Sequence, residues 1–272
     1  MMCRILKVSR SGFYRWLNKS TCASDEKRAL IEERVLETYK AFKARYGSRR
    51  IQEELQALGT PCSVNTVAKV MQLHGIKARN GKGFNYRHHS LAMNNVSDNL
   101  LWRRFGAEGP NQKWTSDITY IWVKNKWVYL ATVMDLFSRK IVGWAVDQSM
   151  TVDLIENALL MAVSRRGSHL STILHSDRGV QYRSQRYIDF AHSKGLILSM
   201  SRKGNCWDNA PMESFFSRLK VELIYAENYQ TMDELVSGLF EYIEVFYNRK
   251  RRHSANNQLS PVDYEEIAAL AA

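Results

Sequence analysis

The chain has 272 residues, of which 45% are hydrophobic and 24% charged, and its formal net charge is +12. A chain of this length can form one substantial core and a smaller domain. No apolar run approaches the ~18 residues of a membrane-spanning helix, and the N-terminus lacks the continuous apolar segment of a secretory signal. We therefore expect a cytoplasmic protein without membrane association. The four cysteines have neither paired nor zinc-ligand spacing, which predicts free thiols.

The excess positive charge is concentrated in the first two-fifths of the chain. Residues 1–109 contain 20 Lys and Arg residues against 9 Asp and Glu, whereas the remaining residues contain 19 against 18. A segment of this charge most often binds nucleic acid, because neutralising phosphates releases condensed counterions. A basic surface that is merely solvated is the alternative. Charge therefore favours a nucleic-acid partner.

The N-terminal elements are predicted to be helices. Residues 1–20 end in a serine-capped helical turn that looks like the tail of a larger motif, and a helix with a 3.6-residue apolar period is predicted from Asp25 to Phe42. Two short helices then flank a turn at Gly59, and the second, residues 64–74, is capped by Ser63. This pattern fits a helix-turn-helix, although small helical bundles that do not bind DNA share it. The residues expected to contact DNA are Arg49, Arg50, Asn65, Thr66 and Lys69.

Residues 78–110 contain glycine, asparagine, histidine and basic residues with little periodicity. We interpret this stretch as a basic linker. His88 and His89 have no cysteine or carboxylate in a suitable register. Phosphate contact or solvation is therefore favoured for them over metal binding.

After Gln112 the sequence alternates between strands and helices. Two runs rich in aromatic and β-branched residues, TSDITYIWV and KWVYLATVMD, are separated by a short polar turn and predict a hairpin. RKIVGWAVD predicts a third strand, STILHSD a fourth and LILSM a fifth, with a helix after each of these three. A capping box from Thr231 to Glu234 precedes a final helix. This order predicts an α/β fold with a mixed sheet and helices on both faces.

Three carboxylates occupy related places in these elements. Asp117 lies in the first strand, Asp177 at the end of the fourth, and Glu213 in the first turn of the helix that begins at Pro211. If the first and fourth strands are neighbours, these like charges repel unless divalent cations neutralise them. Oxygen ligands favour Mg²⁺ or Mn²⁺, and two such ions are the usual device for phosphoryl transfer in nucleic acids. An amphipathic surface helix whose Glu213 merely complements the positive helix end is the alternative.

Other polar residues beside these motifs are given structural roles. Asp135 is expected to cap the turn after its strand, and Asp208 and Asn209 to shape the loop and cap the helix at Pro211. His175 shares strand parity with Asp177, so it either lines the site or packs in the core.

Five strings in this chain resemble, in order, the catalytic domain of bacterial insertion-sequence transposases of the retroviral-integrase superfamily. The strings are WTSDITYI, MDLFSRKIVGW, HSDRGVQY, GNCWDNAPMESFFSRLK and YNRKRRHS with the following LSPVDYE. Thirty-five residues separate Asp177 from Glu213, and Lys220 follows Glu213 by seven, as in that group. The chain departs from the usual pattern at residues 255–257, where Ala-Asn-Asn replaces an apolar–glycine turn.

The resemblance implies a ribonuclease-H-like mixed sheet with flanking helices, preceded by a small all-α helix-turn-helix domain. It implies a catalytic and metal-binding triad of Asp117, Asp177 and Glu213, and cleavage and joining of DNA with two Mg²⁺ (or Mn²⁺) ions and no covalent enzyme intermediate. Lys220 would hold DNA close to the scissile phosphate. Within the basic cluster near the C-terminus, the residues expected to contact DNA are Arg251, Arg252 and His253, and a solvated run of charges is the alternative.

Partners and domain limits follow from the same resemblance. The expected DNA partners are the terminal repeats of the element and a target duplex, bound by a homo-oligomer in the bacterial cytoplasm or nucleoid. Because the family often fuses two reading frames, we expect this chain to be a downstream product with an upstream-frame partner. A non-catalytic DNA-binding regulator and a structure-selective nuclease on the same fold are the alternatives.

The expected divisions of the chain are a helical tail (1–24), the helix-turn-helix (25–77), the linker (78–110), the catalytic core (111–228) and a C-terminal helix with a basic tail (229–272).

Overall fold

The chain divides into two compact units, residues 1–79 and 80–272. The linker residues His88 and His89, for which the sequence favours phosphate contact or solvation, lie outside the part of the chain that the structure describes. Within the described residues, no helix is long and apolar enough to cross a membrane. The structure is a computed structural model, and it describes residues 2–5, 8–17, 23–79, 96–167, 171–202 and 206–271.

The described part of the first unit is helical. Apolar residues at helical spacing on its last three helices meet in a core in which Ile31, Val35, Ile51, Leu55 and Val67 are buried. The helices are α1 (Met2–Ile5), α2 (Arg10–Leu17), α3 (Ala23–Ala41), α4 (Ser48–Ala57) and α5 (Val64–Leu73).

Helices α4 and α5 form the two short helices that the sequence predicts. The chain leaves α4 through Gly59, whose φ of +73° lies in the left-handed region that glycine adopts without strain. It enters α5 after Ser63, whose hydroxyl accepts a hydrogen bond from the backbone N–H of Thr66 at 3.1 Å. The predicted turn and the predicted cap are confirmed.

The second unit is built on a five-stranded sheet. Its strands are β1 (Lys113–Val123), β2 (Lys126–Asp135), β3 (Ile141–Asp147), β4 (Ile173–Ser176) and β5 (Ile197–Met200). The strand order is β3-β2-β1-β4-β5. The first three strands pair antiparallel, whereas β4 is parallel to both β1 and β5. The predicted mixed sheet is confirmed, and β1 lies at its centre.

The turn between β1 and β2 explains the tight hairpin. Val123 pairs with Lys126, so the loop contains only Lys124 and Asn125. Their φ angles are +38° and +67°, the left-handed conformation at both positions of a type I′ turn. This turn matches the twist of the two strands, and the predicted hairpin is confirmed.

Helices cover both faces of the sheet. Ala131 and Val133 of β2 belong to a core with α6 and α7, whereas Thr132, between them, points to the opposite face and contacts the sulfur of Met212 on α8 at 3.1 Å. The helices of this unit are α6 (Val152–Arg166), α7 (Gln185–Ser193), α8 (Ala210–Glu222), α9 (Met232–Phe240) and α10 (Pro261–Leu270).

A glycine on β3 lets α6 approach the sheet closely. A Cβ atom at Gly143 would lie 2.1 Å from the carbonyl oxygen of Ala158 and 2.9 Å from the Cβ of Ala162. No real Cβ shows such contacts, so only glycine fits there.

The predicted last helix is an α-helix that continues into a π-helix. The hydroxyl of Thr231 accepts a hydrogen bond from the backbone N–H of Glu234, which confirms the predicted cap. α9 then runs directly into seven residues of π-helix, Glu241–Tyr247. The wider winding brings residues i and i+5 to the same side, and both Tyr242 and Tyr247 are buried.

The end of the predicted linker packs on the sheet of the second unit. The backbone N–H of Met200 on β5 donates to the carbonyl of Asp98, and the backbone N–H of Leu100 donates to the hydroxyl of Ser199 at 2.9 Å. The side chain of Leu101 is buried. These residues are therefore part of the second unit, and not of a separate linker.

Candidate active site

Sheet topology brings two of the predicted carboxylates together. β4 lies parallel to β1 with Thr115 opposite His175, so Asp177, two residues further along, follows β4 at the level of Asp117. Asp117 is 8% exposed, and its carboxylate accepts a hydrogen bond from the backbone N–H of Ile118. The two aspartates therefore meet at one place on the sheet.

Glu213 reaches the same place from α8. The residue at the N-cap position, Asn209, accepts a hydrogen bond from the hydroxyl of Thr115 on β1. Its side chain therefore does not make the predicted cap hydrogen bond, because Thr115 engages its oxygen. The contact fixes the start of α8 two residues away from Asp117 along β1, and Glu213 lies in the first turn of that helix.

Both of the other predicted carboxylates affect the pKa of Asp117. Burial raises the pKa of Asp117 well above its ordinary value, and the charges of Asp177 and Glu213 raise it further. The hydrogen bond from Ile118 and the charge of Lys220 act in the opposite direction. A buried carboxylate in such surroundings favours a bound proton or a bound cation.

The three carboxylates have the chemistry of a magnesium or manganese site. All three supply oxygen ligands, and the raised pKa of Asp117 reflects negative charge that a divalent cation would neutralise. In the part of the chain that the structure describes, no three His, Cys, Asp or Glu side chains are close enough together to hold a metal ion. Like-charged carboxylates repel one another, so these side chains would have to converge on a cation.

Lys220 is buried beside this group. Its Nζ lies 4.7 Å from the centre of the Tyr120 ring, and the residue is 5% exposed. Burial lowers the pKa of Lys220, and the neighbouring charge of Asp117 opposes the shift. The predicted proximity of Lys220 to the site agrees with this placement.

The predicted DNA-contact residues of the first unit differ in exposure. Arg49, Asn65 and Lys69 are exposed. The guanidinium of Arg50 lies 5.6 Å from the centre of the Tyr46 ring. The hydroxyl of Thr66 is in hydrogen-bond contact with that of Ser63 at 2.9 Å.

The basic cluster near the C-terminus is not a uniform solvated surface. Arg251 is buried, and its Nε and Nη2 donate to the carboxylate of Glu222 at 3.1 and 2.9 Å, while the hydroxyl of Tyr242 also donates to Glu222. Arg252 donates to the carbonyl of Gln258, and the His253 ring contacts Tyr247 edge to face. Arg251 is not placed to contact DNA, because its guanidinium is buried and paired with the carboxylate of Glu222.

Two polar residues near the site, His175 and Asp208, have roles that were among the expectations, core packing and loop shaping, but their contact partners were not predicted. His175 is fully buried, and its ring nitrogens contact the hydroxyls of Ser199 and Ser201 at 2.9 and 3.1 Å. Burial lowers the pKa of His175 to about 4, although the charge of Asp208 opposes the shift, so the ring is neutral and packs in the core. Asp208 accepts several hydrogen bonds, and those from Arg202 hold its pKa far below the ordinary value. The only sequence signal for these contacts of Asp208 is its position directly before Asn209, the N-cap residue of α8.

Family comparisons agree with this architecture. Residues 25–83 match an HTH-like domain, and residues 107–206 and 213–268 match two models of the integrase core domain. Together with the sheet order and flanking helices, these matches define the class: a ribonuclease-H-like polynucleotidyl transferase core that follows an HTH-like domain. Both domain types imply binding to DNA.

Relatives of nearly equal length identify the family to which this chain belongs. The chain is 44% identical to transposase InsF for insertion sequence IS3A of Escherichia coli (strain K12) over 269 residues, 97% of this chain and 92% of the relative. It is 38% identical to the insertion element IS600 uncharacterized 31 kDa protein of Shigella sonnei over 97% of both chains. The chain therefore belongs to the insertion-sequence transposases of the IS3 kind, and the predicted family is confirmed.

Solved structures of retroviral proteins are also similar to this chain. A chain in the cryo-EM structure of the simian T-cell lymphotropic virus intasome in complex with PP2A regulatory subunit B56 gamma is 19% identical over 79% of this chain and 70% of its own, with a TM-score of 0.48. The HTLV-2 integrase catalytic core domain in complex with magnesium is 18% identical over 58% and 98%, with a TM-score of 0.44. The assignment rests on the sequence relatives and not on these two structures.

Proposed function

We propose that this transposase cleaves the DNA at the ends of its element and then transfers the freed 3′-hydroxyl strand to a phosphodiester of a target duplex. The observation that carries the proposal is the burial of Asp117 beside Asp177 and Glu213, which raises the pKa of Asp117. A fold gains nothing in stability from three neighbouring carboxylates without a counterion. The grouping of Asp177 and Glu213 around the buried Asp117 therefore favours a role in catalysis.

The triad would hold two Mg²⁺ or Mn²⁺ ions. Bound there, the ions would activate the attacking oxygen and stabilise the leaving oxygen of an in-line displacement. Asp117 and Asp177 would supply ligands from the sheet and Glu213 a ligand from α8. Because the attacking group is water or a DNA hydroxyl, no nucleophilic side chain is needed.

Lys220 would bind the DNA next to the scissile phosphate. Its ammonium group lies near Asp117, so it adds positive charge where a phosphate would approach the carboxylates. The ammonium lies over the Tyr120 ring, a contact that supports its position near the carboxylates.

The remaining expected contacts would position the DNA. In the first unit, the recognition helix would be α5, and its exposed Asn65 and Lys69 support this role. We also propose that the active form is a homo-oligomer bound to paired element ends. A product of the upstream reading frame would be a further protein partner. The other proposed contacts are Arg49, Arg50, Thr66, Arg252 and His253.

A strand-transfer assay distinguishes this proposal from its alternatives. A duplex with a 3′-hydroxyl at the element end is incubated with the chain, a target plasmid and Mg²⁺, and joined product is expected. The Glu213→Gln variant should bind the duplex and give no product. Cleavage without joining would identify a nuclease, and binding with neither activity would identify a regulator; either result overturns the proposal.

A further inference from the structure

An exposed turn of the second unit has a backbone that its residues disfavour. Trp102 and Arg103 have φ angles of +45° and +60°, in the left-handed region that side chains with a Cβ rarely adopt. Trp102 is 62% exposed, so no burial of its ring offsets this conformation. Strain of this kind persists where the surroundings impose it, and it clusters at ligand-binding sites.

Asn99 and Asp208 impose the conformation of this turn. The side-chain oxygen of Asn99 accepts hydrogen bonds from the backbone N–H groups of Leu101 and Trp102 at 3.1 and 2.9 Å. The side-chain nitrogen of Asn99 donates to Asp208 at 2.9 Å, and both residues are buried. The turn is thus tied to the residue that directly precedes the cap of α8.

Asp208 also orients two arginines at the surface. Arg103 donates its Nε to Asp208 at 2.9 Å, and Arg202 donates its Nε and Nη2 at 3.0 and 2.9 Å. The arginine side chains are 46% and 41% exposed, whereas that of Asp208 is fully buried. One buried carboxylate thus orients two partly exposed guanidinium groups.

The exposed tryptophan completes the cluster. The guanidinium of Arg202 lies 5.5 Å from the centre of the Trp102 ring. Two oriented arginines with an exposed aromatic ring are the groups that bind phosphates and stack on bases or sugars. Ion pairs made only for stability would explain the burial of Asp208, but not an exposed tryptophan ring beside the guanidinium of Arg202.

We propose that Trp102, Arg103 and Arg202 form a DNA-binding site on the catalytic unit, in which the arginines bind backbone phosphates and the ring stacks on a base or sugar. Asp208 precedes Glu213 by five residues, roughly 8–10 Å of helical chain, so this site flanks the active site. The inference rests on the proposed function only in that DNA is the substrate, and it concerns binding alone.

The salt dependence of binding by the full chain tests the two arginines. Binding of a fluorescein-labelled duplex of mixed sequence is measured in the Glu213→Gln background, between about 50 and 200 mM KCl. Loss of two phosphate contacts in the double variant Arg103→Gln/Arg202→Gln should reduce the slope of log K against log[KCl] by about 1.8. Phosphate contacts made by the first unit contribute to the slope in both proteins, so they cancel in this difference. The control Arg186→Gln removes an arginine that is 60% exposed and paired with two carboxylates, and should leave the slope unchanged.

A second variant tests the ring without disturbing Asp208. Trp102→Ala should weaken binding by about 5- to 150-fold, the range for one stacked base, with the slope unchanged. Trp122→Ala, which removes a ring that is 53% exposed on the hairpin, should have no effect. Unchanged affinity in Trp102→Ala overturns the proposal, even if the double arginine variant fails to fold. Cleavage of the duplex by the Glu213→Gln background in Mg²⁺ would instead overturn the assigned triad and leave this site standing.

Discussion

At the scale of single residues, the partners of a buried carboxylate separate the proposed catalytic residue Asp117 from the structural residue Glu222. Burial and the charges of Asp177 and Glu213 raise the pKa of Asp117, and the hydrogen bond from Ile118 and the charge of Lys220 offset this only in part. Glu222 is also buried, but Arg251 and Tyr242 donate to it. A buried carboxylate among like charges is a candidate ligand for a cation, whereas one paired with a guanidinium holds parts of the fold together.

Asp117→Asn should abolish strand cleavage and leave DNA binding intact. The loss should reach at least about 1,000-fold, because metal ions supply several kcal/mol of transition-state stabilisation and each 1.4 kcal/mol is tenfold. Cleavage rate and duplex affinity are measured in parallel, with Asp189→Asn, an exposed carboxylate on α7, as the control. Residual cleavage near the wild-type rate would remove Asp117 from the triad.

Arg251→Ala should destabilise the second unit by about 3–5 kcal/mol, because it leaves Glu222 buried without its charged partner. Urea unfolding measures this change. The neighbouring exposed residue gives the control, since Arg249→Ala should stay within about 0.5 kcal/mol of the wild type. If Arg251→Ala kept its stability and lost affinity for DNA, Arg251 would be a DNA contact after all.

At the scale of elements, close approaches and ion pairs fix the helices on the sheet. The carboxylate of Glu265 on α10 accepts hydrogen bonds from Ser138 and Lys140, in the segment between β2 and β3, and from Arg166 at the end of α6. A predicted turn residue, Asp135, accepts from the backbone N–H of Phe137, which confirms its capping role. These contacts join three elements at one edge of the unit.

Gly143→Ala should destabilise the second unit by at least about 1–3 kcal/mol, the range for overpacked cores. The added methyl group would overlap the backbone of α6 at Ala158. Thermal unfolding measures the effect. Gly106→Ala is the matched control, because a Cβ there meets no atom within 4 Å, and its unfolding temperature should equal that of the wild type.

The stability supplied by Glu265 should depend on pH. Burial by itself would raise the pKa of Glu265, but the hydrogen bond from Arg166, with those of its other partners, lowers it below the ordinary value of 4.5. A carboxyl whose pKa is depressed by folding stabilises the protein above its ordinary pKa and loses this effect as the pH falls. Glu265→Gln should therefore lower the urea midpoint at pH 7, and the difference from the wild type should shrink below about pH 4.5. A difference that stays constant with pH would contradict this account.

At the scale of the whole molecule, the sequence predicts patterns that repeat locally and misses contacts between distant residues. Strand alternation, turn residues and caps predicted the order of the elements in the second unit, because each acts within a few positions. The triad was expected from the positions of its carboxylates on the predicted elements and from the resemblance to insertion-sequence transposases. The burial of Arg251 was not predictable, because a run of basic residues looks solvated until Glu222, 29 positions away, is packed against it. The same reason hid the contacts of Asn99 with Asp208 in a stretch interpreted as linker.

Divalent cations should stabilise the whole chain if the triad binds them. A ligand that binds only the folded state raises the unfolding free energy by about 2.7 kcal/mol at 100 times its Kd. Thermal unfolding with increasing MgCl₂ should therefore show a rising transition for the wild type and a smaller rise for Glu213→Gln. NaCl at matched ionic strength controls for screening. Equal shifts in both proteins would argue against Glu213 as a ligand.

The two ends of α8 are held by different parts of the fold. Asn209 ties its start to β1, and Glu222 ties its end to Arg251. Since each residue added to an α-helix rotates the rest of the helix by about 100°, an insertion between these points cannot satisfy both contacts at once. The number of residues in α8 is thus fixed even where its exposed positions are free to vary, and a one-residue deletion within it should be more damaging than any single exposed substitution.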